Sequence, residues 1–321
     1  MDVPMNFWVG FHVLIVTLLA IDLGIFNRKA HTISLREAGT FSAVWIGCAL
    51  LFNLGIAFTF GAAKGAEFLT GYLIEYSLSV DNIFVFVLIF SAFGVPSQYQ
   101  HRVLFWGILG ALVLRGTLIG VGSALIHQFG WVLYLFGAFL VFAGLRMLRS
   151  DEEPIDLENN RVIGFVRRYI PVSSNYHGQN FFIREAGELA ATPLLVVLIL
   201  VELTDVMFAL DSIPAIFAIT QDSFTVYTSN VFAILGLRSL YFLLAGIIDK
   251  FVYLRYGLAA ILTFVGAKLL LVDIYHIPTL LSLGIIGLSL GVSIAASLYV
   301  AEHRADAKEA LEETAKETAS D

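Results

Sequence analysis

Charge is the first thing this chain lacks. Of its 321 residues only 14% are Asp, Glu, Lys or Arg, while 58% are hydrophobic, and the mean hydropathy is +0.84. A soluble domain of this length needs far more surface charge, so the composition belongs to the membrane class. Cysteine is nearly absent. Cys48 stands alone in an apolar run, which excludes a disulfide within the chain and any Cys-x-x-Cys redox or zinc motif. Its simplest reading is an inert small hydrophobe. A Walker A motif is also missing, so nucleotide hydrolysis by this chain is excluded as an energy source. Basic residues are too few for a nucleic-acid partner: the formal net charge is −7. Residues 1–6 carry no Lys or Arg, and no small-residue cleavage site follows the first apolar run. Residues 7–26 are therefore expected to be a retained span rather than a signal peptide.

What is present is apolar length. Runs at 7–26, 41–61, 68–93, 104–126, 131–148, 193–219, 229–248, 256–273 and 279–300 approach the roughly 20 residues that cross a bilayer. The expected fold is an all-α integral membrane protein with about nine transmembrane helices. Under this count the basic residues at 28–36, 102, 149–184, 250–255 and in the tail fall on one side, and the opposite loops have only Lys64. The excess of Lys and Arg on the cytoplasmic side then puts the N-terminus outside and the C-terminus in the cytoplasm.

Two stretches stand out: FLTGYLIEYSLSVDNIFVFVLIF at 68–90 and PLLVVLILVELTDVMFALDSIPAIFAI at 193–219. Glu75 and Asp81–Asn82–Ile83 of the first match Asp205 and Asp211–Ser212–Ile213 of the second. The following span of each carries Ile-Leu-Gly and then an arginine, Arg115 or Arg238. The next pair aligns YLFGAFLVFAGLRML (134–148) with YGLAAILTFVGAKLL (256–270). The chain thus divides into two N-terminal spans (1–67), a first three-helix repeat (68–148), a cytoplasmic connection (149–192), a second repeat (193–273), a last span (274–300) and a cytoplasmic tail (301–321). A three-span unit enters its second copy from the opposite side, so the repeats are inverted, a transporter architecture with its site near midplane. In the connection, RVIGFVRRYIP suggests an amphipathic surface helix and FFIREAGELAATP a small hairpin. The charged, Ala/Glu-rich tail 302–321 reads as a frayed helix or disorder.

The candidate site lies on these stretches. A carboxylate at bilayer depth costs roughly 2.5–3.5 kcal/mol on the insertion scale, and Glu75, Asp81, Glu202, Asp205 and Asp211 are all there. They need a cation, a proton or a fixed positive partner. At about 100° per residue, Glu75, Ser79 and Asn82 share one helix face and Ser77 and Asp81 another; Glu202, Asp205 and Ser212 form one face of the second helix, Thr204 and Asp211 the other. A helix polar on two faces is expected to be central in the bundle. Pro214 is expected to kink or open its helix at 210–214 and free backbone carbonyls beside Asp211. Every donor in the group is an oxygen, with no His or Cys, which suits magnesium, calcium or manganese(II) rather than zinc or copper. Arg115 and Arg238 are candidates for ion pairing with surplus carboxylates such as Asp81, or for gating. Lys268 is expected to snorkel to the interface.

The motifs YLIEYSLSVDNIFVF, VLILVELTDVMFALDSIPAIFAIT, SNVFAILGLRSLYFLLAG and KLLLVDIYHIP resemble those of the TerC family of bacterial integral membrane proteins, over nearly the whole chain. The family is named for tellurium resistance and sits in a wider superfamily of inner-membrane exporters that includes the LysE type. The resemblance implies manganese(II) export, with Glu75, Asp81, Glu202, Asp205 and Asp211 as metal site and Asn82 and Ser212 as helpers.

The expected function is therefore a non-enzymatic inner-membrane secondary transporter in the lipid bilayer. It carries manganese(II) as cargo, has no bound organic cofactor, and takes protons as candidate counter-ions. Two other classes compete. A tellurium or redox stress factor without transport wants thiols or a cofactor motif. A structural interaction protein would use its acids only to staple helices to Arg115 and Arg238, and two arginines cannot neutralise five acids.

Overall fold

The computed structural model describes residues 3–21, 33–149, 171–173, 175–185, 188–245, 253–275 and 277–320, with the side chains of Asp81, Arg149, Glu185, Glu188 and residues 302–320 left aside. In order these form α1 (Met5–Ile21), α2 (Leu35–Phe60), α3 (Ala62–Ala92), α4 (Ser97–Gln128), α5 (Val132–Arg149), β1 (Phe182–Glu185), β2 (Glu188–Ala191), α6 (Pro193–Phe217), α7 (Ser223–Leu244), α8 (Leu254–Leu270) and α9 (Thr279–Ser320). The protein is an all-α membrane bundle, and each expected span has its helix. Among the described residues six helices are long and apolar enough to cross a membrane: α2, α3, α4, α6, α7 and the Thr279–Ala301 part of α9. The apolar helices α1 and α5 are shorter.

Local chemistry sets the boundaries. Ser34 caps α2 by accepting from the Glu37 amide at 3.3 Å, which fills one of the unpaired donors at a helix start. Gly61 alone joins α2 to α3, at a φ of 96° that favours glycine. Pro193 opens α6, where a missing N–H is harmless. Asp222 caps α7, accepting from the Thr225 amide at 3.3 Å and its hydroxyl at 2.6 Å. That cap starts α7 six residues before the expected 229. The intervening run is polar but buried, because α7 is the most enclosed of the spanning helices. Centrality therefore belongs to α7 as well as α3. By contrast α6 exposes the stripe Leu203, Met207 and Leu210, a lipid-facing edge on a helix whose polar faces suggested full enclosure.

The repeats interlock. Within a unit, α4 barely touches α5 and α6 barely touches α7; the close pairs are α3 with α7, α4 with α6, α5 with α8 and α3 with α6. Exchanging α3, α4 and α5 for α6, α7 and α8 leaves this set unchanged. The helix directions agree. Gly71 meets Ser229 and Phe90 meets Tyr241, so α3 and α7 run the same way. Gly107 meets Val201 and Gly122 meets Phe217, so α4 and α6 do too. Gly71 also meets Ile216, and Arg115 bridges Glu75 to Ser212, so α3 and α6 run in opposite senses. This is the geometry of inverted repeats.

The α5–α8 seam shows the same symmetry at atomic scale. A Cβ on Gly137 would lie 2.9 Å from the Gly266 carbonyl oxygen, and one on Gly144 would lie 2.8 Å from that of Ala259. The sequence alignment equates Gly137 with Ala259 and Gly144 with Gly266, so the two contacts map onto each other. Small residues let helix backbones meet in lipid, where packing rather than water drives association.

Three further expectations resolve. The connection does hold a hairpin, β1 paired antiparallel with β2. The segment leading into it lies by the α3–α4 turn, where the Tyr176 hydroxyl donates to the Phe93 carbonyl at 2.8 Å. The amphipathic segment 161–171 falls largely outside the described residues. Pro214 does not end α6: the helix continues to Phe217, and the proline costs it the one backbone donor that would reach the Leu210 carbonyl. Lys268 does not snorkel. It is buried between α8 and α9, with its Nζ donating to the Ser282 hydroxyl at 3.0 Å.

Candidate cation site

Where α3, α4, α6 and α7 cross, three polar side chains meet a guanidinium and a fourth holds one of the three. Arg115 comes from α4 and is 1% exposed. Its Nε donates to Asp205 Oδ2 at 3.1 Å and its Nη2 to Asp205 Oδ1 at 2.7 Å. Its Nη1 donates to Glu75 Oε1 and, at 3.3 Å, to the Ser212 hydroxyl. The other Glu75 oxygen accepts from Asn230 Nδ2 on α7 at 2.9 Å. A planar guanidinium matches a carboxylate edge with two parallel bonds, which lysine cannot do. Removing these ions from water costs several kcal/mol each, so the convergence is needed for the fold to bury them. With both acids ionised the triad carries one net negative charge.

Among the described residues the carboxylates that Arg115 holds are Glu75 and Asp205. These are the equivalent acids of the two repeats. The Asp81 side chain lies outside the described residues.

The remaining candidates surround this centre. A cavity of about 350 Å³ is lined by Glu75, Asn82, Arg115, Asp211 and Ser212, with Arg146 at its rim. Asp211 is half-buried there, outside the Arg115 triad. Asn82 is 1% exposed, and its Oδ1 has no hydrogen-bond partner among the described residues. Glu202 stands apart. Its carboxylate fills the notch made by Gly110 of α4, where any Cβ would overlap it, and its Oε2 is buried with no hydrogen-bond partner among the described residues. Arg238 lines a small space with Asp205 and Leu104, and its Nη1 lies 3.3 Å from His101 Nε2.

The residue that sequence reasoning missed is Asn230. A neutral amide in a buried helix gives no charge signal, and the only hint was its place in the SNVFAILGLR motif. Among the described residues no three His, Cys, Asp or Glu side chains form a ready metal cluster. The centre is instead an oxygen-rich cavity whose two main acids are held by an internal cation. Such a centre can exchange one positive partner for another.

The comparisons agree with a membrane protein. The profile of the integral membrane protein TerC family matches residues 60–305. An uncharacterized membrane protein of Myxococcus xanthus is 51% identical over 92% of this chain and 93% of its own length. An Escherichia coli K12 protein described as a candidate membrane-bound redox modulator, Alx, is 50% identical over 87% of this chain and 90% of its own. Its Photorhabdus laumondii counterpart is 47% identical over 93% and 96%. No solved structure matches the chain.

Proposed function

The chain belongs to the TerC family of integral membrane proteins, and on that premise we propose that it exports a hard divalent cation, manganese(II), from the cytoplasm by alternating access. One observation carries this reading: Glu75 and Asp205, equivalent acids of two inverted repeats, converge on the single guanidinium of Arg115. In the cation-free protein Arg115 holds the position of positive charge. Glu75, Asp205, Asp211 and Arg115 together sum to two negative charges when ionised, which suits a divalent ion. Asn82 and Ser212 add neutral oxygens to replace its water. Glu202, at the edge of the group and outside the Arg115 contacts, suits a proton-carrying role. The protein sits in the bacterial inner membrane with its N-terminus outside and the hairpin face in the cytoplasm. An ion gradient, with protons as counter-ions, supplies the energy. A redox phenotype of the kind named in the relatives is compatible with this reading, because manganese is itself a redox-active ion.

The test is flux. Purified protein in vesicles is given a manganese(II) gradient and an entrapped metal-sensitive dye. The wild type is expected to move manganese(II) well above protein-free vesicles, and Asp205→Asn to abolish the difference. Wild-type flux equal to that of protein-free vesicles would overturn the proposal.

A further inference from the structure

Asn230 is buried and sits on the α7 face that meets α3. Its neighbours on α7 satisfy their polar groups locally: the Thr228 hydroxyl donates to the Phe224 carbonyl at 2.7 Å and the Ser229 hydroxyl to that of Val226 at 3.1 Å. Asn230 does not. Its amide crosses to α3 and donates to Glu75.

That contact has a counterpart. Exchanging the repeats turns α7 reaching α3 into α4 reaching α6. The α4-to-α6 contact is Arg115 holding Asp205. The two helix contacts are equivalent but their donors are not: α4 reaches α6 with the Arg115 guanidinium, whereas α7 reaches α3 with the neutral amide of Asn230.

The α3–α7 side of the centre is rich in acceptors that lack donors. Asn230 Oδ1, Asn82 Oδ1 and Ser79 Oγ are all buried with no hydrogen-bond partner among the described residues. Glu75, Ser79 and Asn82 follow one face of α3, and Asn230 meets Glu75 from the other side. Leaving a buried polar oxygen unpaired costs about 1–3 kcal/mol, and several unpaired acceptors beside one carboxylate are the complement of a hard cation.

Resting on the transport reading above, we propose that Asn230 is a ligand of the transported divalent cation. Without the cation its amide nitrogen holds Glu75 in place. When the cation arrives at Glu75, the amide turns over and presents Oδ1 to it, beside Asn82. The exchange breaks one hydrogen bond and forms one oxygen–cation contact, with no proton moved.

The experiment measures manganese(II) binding by calorimetry to the purified full chain in lipid nanodiscs, together with melting temperature with and without the ion. Asn230→Ala removes both donor and ligand and is expected to weaken binding about tenfold or more, one hydrogen-bond-sized contact or above. Asn230→Asp removes the donor but offers a stronger oxygen ligand. It is expected to melt lower than wild type without manganese(II) and to bind the ion at least as tightly. A residue that merely positions Glu75 would weaken binding in both variants, and that result overturns the proposal, as does wild-type affinity and melting behaviour in both. If Asn230→Ala does not fold, the Asn230→Asp arm decides alone. A folded wild type that binds no manganese(II) defeats the transport reading itself, and this inference with it.

Discussion

Arg115 and Asp205 are joined by two parallel hydrogen bonds, of 3.1 and 2.7 Å, between helices of different repeats. The same guanidinium also holds Glu75. Three helices are therefore tied by one side chain, and the charge balance of the triad orders the consequences of changing it.

Arg115→Met leaves two buried carboxylates facing each other with no cation, whereas Asp205→Asn leaves Arg115 paired with Glu75. Breaking a buried pair costs about 3–5 kcal/mol. Arg115→Met is expected to lose most of its membrane abundance at 37 °C, and Asp205→Asn to retain most of it while losing manganese(II) flux. Immunoblots of membranes beside vesicle flux check the order; equal abundance of the two variants would refute the charge balance.

Asp211 contributes to the cavity without entering the triad. Asp211→Asn is expected to leave the melting temperature within about 2 °C of wild type, as fits a change near 0.5 kcal/mol, and to reduce manganese(II) flux at least tenfold. A melting loss as large as that of Arg115→Met would show that Asp211 is structural.

Gly110 makes room for Glu202. Gly110→Ala is expected to impair flux by displacing that carboxylate, and Glu202→Ala to make the chain indifferent to the Gly110 change. Contacting residues couple by about 0.5–3 kcal/mol in double-mutant cycles. Additive effects on melting and flux would show that the notch has no influence on Glu202.

Orientation has a direct check. Replacing Cys48 with Ser gives a cysteine-free chain, into which single cysteines can be placed. Cysteine at Lys64 is expected to react with an impermeant maleimide from outside intact cells, and cysteine at Glu158 only after the membrane is opened. The reverse pattern would turn the proposed transport direction around.

The sequence made the architecture legible because a bilayer enforces long apolar runs, and the repeat because its acids recur at fixed spacing. Helix ends were less legible. The window for α7 left out Ser223 to Thr228 as too polar, yet Thr225 and Thr228 are buried; hydropathy records what faces lipid, and a central helix faces protein. The acids Glu75 and Asp205 were visible as costly charges and Arg115 as a candidate partner, but not that these two acids share it. Neither the distance from residue 115 to 205 along the chain nor the offset of the two arginines from their Ile-Leu-Gly marks encodes which helices cross. Asn230 carried no charge and no rule of spacing, so only the tertiary contact reveals it.

The α5–α8 seam has a mechanical consequence. Its backbone contacts at Gly137 with Gly266 and Gly144 with Ala259 exchange with each other when the repeats trade roles, so the seam lies along the axis of that exchange. A cross-link near an axle leaves the wheel free, and one at the rim stops it. Bonding α5 to α8 at this bearing should leave both end states within reach, while the same bond between α3 and α7 should arrest the protein in one of them.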